Sequence, residues 1–385
     1  MSSKIAPHMQ ELTALRHRLH QKAEVSGQES ETAECIGDFL SDTAPDELRT
    51  GLGGHGILAS YKGESEGPHL LLRCELDALP IPDKIETDYQ SKAEGVGHKC
   101  GHDGHMAIMC GVAKLLAADR PASGTVTLLF QPAEETGEGA LKILEEEAFQ
   151  ARSLDYCFAL HNLPGHGKHQ IVVRPGVFAA ASVGLEVELR GQTAHAAHPE
   201  EGVSPAAAVA QLIEAFSAVP QFYSSLDQAT KVTVINAVLG ERAFGTSPGH
   251  AIVRATLRTY DDELLSDLQR RCLTIAEGLA QTYGLDMAHS WVEPFAATTN
   301  DARAVDIICR AAEDCDLEIS EKQTPFSWSE DFGHFTQEIP GAMFGLGIGS
   351  EHPALHAEQY DFEDAVISSG VLMFMQIIKE IVSKG

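Results

Sequence analysis

The sequence is poor in positive charge. Its 28 Lys and Arg residues stand against 56 Asp and Glu, a formal net charge of −28 at pH 7 over 385 residues. A surface of that sign repels nucleic acid and anionic membranes, which excludes both as partners. It favours solubility and suits a salty cytoplasm. It also repels any anionic substrate, so a site for one must supply its own positive charge.

Long apolar runs are missing as well. The opening MSSKIAPHMQELTALRHRLHQ lacks the apolar core of a secretory leader, and no stretch approaches the ~20 apolar residues of a membrane span. The expected compartment is the cytoplasm. The 8 cysteines, at positions 35, 74, 100, 110, 157, 272, 309 and 315, follow no framework spacing. They read as reduced thiols, mostly buried, and only Cys100 stands apart because of its neighbours. Repeats, low-complexity tracts and long linkers are absent too.

What is present is ordinary for a globular chain, with 43% hydrophobic and 22% charged residues. The length suggests two domains. Leu12, Leu15 and Leu19 recur at helical spacing within 10–45, and the stretch breaks near Val25–Ser26–Gly27. Strands are predicted at 56–62 (GILASYK) and 69–74 (HLLLRC), the second a continuous apolar run of the kind buried in a parallel sheet. It leads into Glu75 and Asp77. A helix over 105–118 follows, then a buried strand at 124–130 (GTVTLLF) ending in QPAEETGEG, then a strand at 155–160 (DYCFAL) ending in HNLPGHG. Ligand-type residues at successive strand ends mark a doubly wound α/β fold with a mostly parallel sheet, whose sites collect at the strands' carboxyl edge.

The pattern changes after about 178. VGLEVELRG (183–191) alternates apolar and polar, a helix is expected at 203–218, strands at 231–240 and 251–261, and a helix over 262–283. The order β-α-β-β-α points to a small α+β (ferredoxin-like) domain with an antiparallel sheet. From about 292 the α/β character returns, with a helix at 300–314, the strand AMFGLGIG (342–349) and a last helix over 361–383. The expected organisation is an α/β domain of residues 1–178 and 292–385, with residues 179–291 inserted into it as a second domain.

The stretch HKCGHDGHMA (98–107) sets thiolate, imidazole and carboxylate side by side, the ligand types of a transition-metal site. Further groups join Cys100 and His102. Glu134 and Glu135 follow one buried strand, His161 follows the next, and His352 and His356 follow 342–349. Such a set can hold one or two divalent metals. The thiolate argues against magnesium and calcium and for zinc, manganese, cobalt or nickel. Adjacent carboxylates can divide the labour, one ligating and the other accepting a proton from water acidified by the metal.

The chain resembles the M20 metallopeptidases, in particular the amidohydrolase branch of auxin-conjugate, hippurate and N-acyl-amino-acid hydrolases. LTALRHRLHQKAEVSGQE, LLRCELDALPI, HKCGHDGH, FQPAEE, ALHNLP, GQTAHAAHP, TLRTYD, SEDFGHF and LHAEQYDFED occur in the family's order. The resemblance implies two divalent metal ions per chain, with Cys100, His102, Glu135, His161 and His356 at ligand positions and Glu134 at the general base. It places His195 where a histidine polarises the scissile carbonyl, typically in the site of the partner subunit. Arg258 falls where relatives hold a substrate carboxylate. It further implies a small-molecule N-acyl amino acid as substrate and a homodimer or homotetramer formed through the inserted domain. His352 and His356 compete for the last ligand position, and the Leu-His preceding the Tyr-Asp-Phe favours His356. Two departures stand out: Ala23 replaces the usual proline, and Gly245 in FGTSPGHA falls where asparagine is usual, which changes one side of the substrate pocket. A dipeptidase or aminopeptidase on the same scaffold is the alternative enzyme, and a metal-bound sensor or binding protein the alternative outside catalysis.

Overall fold

A computed structural model describes residues 2–382. The chain folds as two compact units: Met1–Phe178, Thr298–Pro325 and Asp331–Gly385 form the first, Ala179–Ala297 and Phe326–Glu330 the second. In chain order the first unit begins with helices α1 (Ser2–Ile5), α2 (Met9–Gln21) and α3 (Ser30–Ser41). Then come strands β1 (Glu47–Leu52), β2 (Gly56–Lys62) and β3 (His69–Glu75), helix α4 (His102–Ala118), and β4 (Thr125–Gln131). Short helices α5 (Gly139–Glu145) and α6 (Glu147–Gln150) lead to β5 (Tyr156–Pro164), β6 (Ile171–Val173) and β7 (Gly176–Ala179).

The second unit has β8 (Ala181–Arg190), β9 (Ala194–His195), α7 (Ala206–Tyr223), β10 (Thr230–Leu239), β11 (Thr246–Ser247), β12 (His250–Thr259), α8 (Asp262–Thr282) and β13 (Asp286–Phe295). The chain then returns to the first unit with β14 (Thr298–Asn300), α9 (Ala302–Asp314), β15 (Ile319–Glu321), α10 (Gly333–Glu338), β16 (Gly341–Gly349) and α11 (Ile367–Val382).

The first unit is built on an eight-stranded mixed sheet of order β1-β2-β4-β3-β5-β16-β6-β15. Its centre is parallel, because β3 pairs in parallel with β4 and with β5, and β16 pairs in parallel with β5. The continuous apolar runs sit here, buried along nearly their whole length. Leu70, Leu72 and Cys74 join the main core with Leu12 and Leu15 of α2, Met106 and Met109 of α4, and Val371 and Phe374 of α11. The helical stretch Asp364–Val382, which includes α11, is long and apolar enough to cross a membrane by composition, but most of its apolar residues are buried in this core.

The second unit contains a four-stranded antiparallel sheet of order β10-β12-β8-β13. Alternation along β8 buries Val183, Leu185, Val187 and Leu189, and helices α7 and α8 contribute Leu212, Phe216, Leu268 and Cys272 to the buried set. Asp261 caps α8 by accepting a hydrogen bond from the Leu264 N–H at 2.8 Å.

Several elements differ from the sequence reading. β5 extends to Pro164, so His161 lies on the strand rather than past it. α4 begins at His102, ahead of the expected 105. β1 and β13 carry no sequence signal, because both are edge strands whose residues are mostly exposed and do not alternate. The final helix starts at Ile367, preceded by a 3-10 turn at Asp364–Val366; its last expected residue, 383, lies outside the described residues.

Buried charge ties the N-terminal helices to the loops around α4. Arg16, fully buried, meets Asp103 at 3.2 Å, Asp361 at 2.8 Å and Asp364 at 2.6 Å. His20 bonds Asp103 at 2.8 Å and Asp83 at 3.0 Å. Burial opposes protonation of His20, but the bonds to the two carboxylates outweigh it and push its pKa up to about 9. A raised imidazole stabilises the fold fully below its unfolded value of ~6.5, and that contribution is lost as pH rises through about 9. Urea midpoints measured between pH 6 and 10 should therefore fall more steeply for the wild type than for His20→Gln. Arg16→Met, which strands the buried Asp103 carboxylate, should cost about 3–5 kcal/mol of unfolding free energy.

Candidate metal centre

Four parallel strands deliver their carboxyl ends to one edge of the sheet. Past β3 lies Asp77, past β4 lie Glu134 and Glu135, near the end of β5 lies His161, and past β16 lies His356. The N-terminus of α4 brings His102, with Cys100 just ahead of it. Gly101 makes the junction at φ 90°, a left-handed value suited to glycine, and a Cβ there would overlap the Tyr360 hydroxyl and the Asn162 amide.

The six expected residues of this unit come together. Cys100 Sγ lies 3.4 Å from His161 Nε2. His102 Nε2 lies 3.9 Å from Glu134 Oε2 and 4.0 Å from Glu135 Oε1, and His356 Nε2 lies 3.9 Å from Glu135 Oε1. Donor atoms within 4.8 Å of one another form two triplets, Cys100–His102–His161 and Cys100–Glu135–His356, which share the Cys100 sulfur. His102, Glu134 and Glu135 form another such group. His352 belongs to none of these; it is part-exposed and its Nδ1 bonds the Pro353 carbonyl at 3.0 Å.

The imidazoles are oriented for ligation. His102 Nδ1 donates to the Asp77 carbonyl at 2.8 Å, and His161 Nδ1 donates to the Asn162 carbonyl at 2.8 Å. Each thereby turns its Nε2 toward the cluster. His102 Nε2 is buried and makes no hydrogen bond. A buried ring nitrogen with no hydrogen-bond partner, facing two carboxylates and a thiol group, fits a divalent cation.

The electrostatics say the same. Burial disfavours charge on His102, yet Asp77, Glu75 and Glu135 push its pKa up to about 10, so without a cation the cluster captures a proton. Burial, helped by His105, takes His161 down to about 3, leaving the neutral form that ligates. Beneath the cluster, His105 Nδ1 donates to Glu75 at 2.6 Å, and its Nε2 accepts the Asn162 N–H at 3.1 Å, so both nitrogens are engaged. Arg73 bonds Glu75, Gln131 and Asp331, and holds the Glu75 carboxyl well below its ordinary range against the opposing effect of burial.

His195 and Arg258 belong to the second unit. His195 sits on β9, paired with Thr246 of β11. Its Nδ1 accepts the Ala197 N–H at 3.0 Å, which leaves Nε2 to carry the proton of the neutral ring. Arg258, on β12, is not a solvated strand residue: its Nη1 donates to the Ser327 carbonyl at 2.8 Å and to Ser329 Oγ at 2.7 Å.

Residues 71–380 match Peptidase family M20/M25/M40. The chain belongs to this family. It is 31% identical to an N-acetyl-L-cysteine deacetylase of Bacillus subtilis over 94% of this chain and 86% of the relative. A second relative, an N-acetylcysteine deacetylase of the same organism, is 32% identical over 92% of this chain and 96% of its own. Among solved structures, the YxeP protein of Bacillus subtilis, described as a dinuclear metal-binding peptidase of the M20 family, superposes with a TM-score of 0.81 at 26% identity, covering 98% of this chain and 99% of that one. A putative aminohydrolase of methicillin-resistant Staphylococcus aureus shares the fold with a TM-score of 0.88 at 22% identity, covering 99% of both chains. The protein is an M20 metal-dependent amidohydrolase with a mixed α/β fold.

Asp77 and Asn162 support the cluster without joining it. Asp77 stood out in the sequence only as a strand-end residue, and Asn162 only as part of ALHNLP. Asp77 Oδ2 accepts from Ser26 Oγ at 2.7 Å and from the Glu135 N–H at 2.9 Å, while its carbonyl holds His102. Asp77→Ala should weaken metal binding by roughly 10–100-fold in a competition titration with a chelating dye.

Proposed function

We propose that this amidohydrolase cleaves the amide bond of N-acyl amino acids, releasing a carboxylic acid and a free amino acid. The observation that carries the reading is the pair of donor triplets sharing Cys100, with Glu134 beside them. In this reading Cys100, His102, Glu135, His161 and His356 hold two divalent ions, zinc, manganese, cobalt or nickel. The names of the two deacetylase relatives support the acyl-amino-acid class.

Bound ions supply Lewis acidity, polarising the amide carbonyl and acidifying a water. Glu134 accepts the proton of the attacking water and passes it to the leaving nitrogen, which departs as a neutral amine. His195 Nε2–H donates to the oxygen on which negative charge develops. Arg258 keeps N–H groups beyond those on Nη1 and serves a substrate carboxylate, offsetting the acidity of the chain.

Pairing of subunits through the second unit is part of the same proposal. β10 is an edge strand of the four-stranded sheet, and Ile235, Val238 and Leu239 on it are exposed at 62, 46 and 41%. An apolar edge of this kind favours pairing with another strand. The eight free thiols suit the reducing cytoplasm.

The test is amine release from N-acetyl, N-benzoyl and indole-acetyl amino acids and from dipeptides, on protein stripped by a chelator and reloaded with each metal. Cleavage of acylated amino acids in preference to dipeptides is expected; preference for dipeptides would contradict the reading. Glu134→Ala should lower kcat by about 10²–10⁴-fold while metal content, measured by elemental analysis, stays unchanged. Ile235→Glu should shift the protein to monomer in light scattering.

A further inference from the structure

The two triplets are held in different ways. His102 is the first residue of α4 and His161 lies within β5, so regular structure fixes both rings. His356 lies in the irregular segment between β16 and the 3-10 turn at Asp364–Val366, its backbone at φ 65°, left-handed for a residue that is not glycine, and its side chain is 51% exposed. Neither a helix nor a strand places this ring.

Hydrogen bonds to the neighbours of Cys100 place it instead. The His356 N–H donates to the Lys99 carbonyl at 2.8 Å. Lys99, with its side chain fully buried, donates from Nζ to the Tyr360 carbonyl at 2.8 Å and to the Asp83 carboxylate. The buried Tyr360 hydroxyl donates to Asn162 Oδ1 at 2.7 Å, and Asn162 Nδ2 donates to the Cys100 carbonyl at 2.6 Å. The segment carrying His356 is thus clasped at both ends of its short turn to residues 99 and 100. The His102 ring rests on the Asp77 carbonyl, and the His161 ring on the Asn162 backbone carbonyl, which strand β5 holds in place independently of the Asn162 side chain that Tyr360 bonds.

We propose that Lys99 and Tyr360 are positioning residues that set the affinity of the Cys100–Glu135–His356 ion separately from that of the Cys100–His102–His161 ion. The inference rests on the two-ion reading above. It makes the first-bound ion the one held by regular structure, and the second the one whose retention depends on the clasp.

Cobalt tests it, because calorimetry gives stepwise affinities and the visible spectrum reports ligand geometry. Chelator-stripped wild type, Lys99→Met, Tyr360→Phe and His356→Ala are titrated with Co²⁺, with circular dichroism confirming the fold of each. The wild type should take two ions. Lys99→Met and Tyr360→Phe should take the first within threefold of the wild-type affinity and the second at least tenfold more weakly, with excess Co²⁺ restoring the wild-type spectrum. His356→Ala should lose the second step and keep the first, which identifies the steps. If Lys99→Met does not fold, Tyr360→Phe alone carries the test. Equal weakening of both steps, or no change in either while the wild type takes two ions, overturns the inference. A wild type that takes one ion or none overturns the two-ion reading itself, a distinct result.

Discussion

The parallel hydrogen-bonding of β3, β4, β5 and β16 is the constraint on which the site depends. Parallel pairing points every carboxyl end the same way, so residues from distant parts of the chain meet at one edge without any long loop having to find them. The tight packing of those strands serves the same end: Leu70, Leu128, Phe158 and Phe344 are completely buried, and removing one such side chain would cost about 2–5 kcal/mol. The position of His161, and the points from which the segments bearing Glu135 and His356 set out, therefore follow from packing far from them.

Charge is the second constraint. A cluster of buried carboxylates, imidazoles and a thiol is stable only if its charges are matched. Arg73 balances Glu75 and Asp331 on one side, and Arg16, His20 and Lys99 balance Asp103 and Asp83 on the other. What those cations leave over appears as the raised pKa of His102.

Much of this was legible in the sequence. HKCGHDGH, QPAEE, ALHNLP and LHAEQYDFED carried the donor residues, and continuous apolar runs marked the strands that lead to them. The alternation of β8 was equally visible. The edges of the structure were not: β1 and β13 are strands because of their partners, and nothing in ELRTGL or DMAHSWVEPF alternates. The supporting residues were also hidden. Lys99 reads as an ordinary surface lysine inside a ligand motif, and only the fold shows it buried against Tyr360 and Asp83. Likewise nothing in the sequence alone shows that His356 is presented by a left-handed backbone, because its segment is tied by hydrogen bonds to Lys99, more than two hundred positions away.

One sulfur serving two ions is the central feature proposed for the site. Anomalous scattering from crystals of the zinc- or manganese-loaded enzyme tests that most directly. Two peaks, each at bonding distance from Cys100 Sγ (about 2.3 Å for zinc), with His102 and His161 on one and Glu135 and His356 on the other, are the expected result. A single peak, or a second ion that leaves Cys100 out of its coordination, would contradict it.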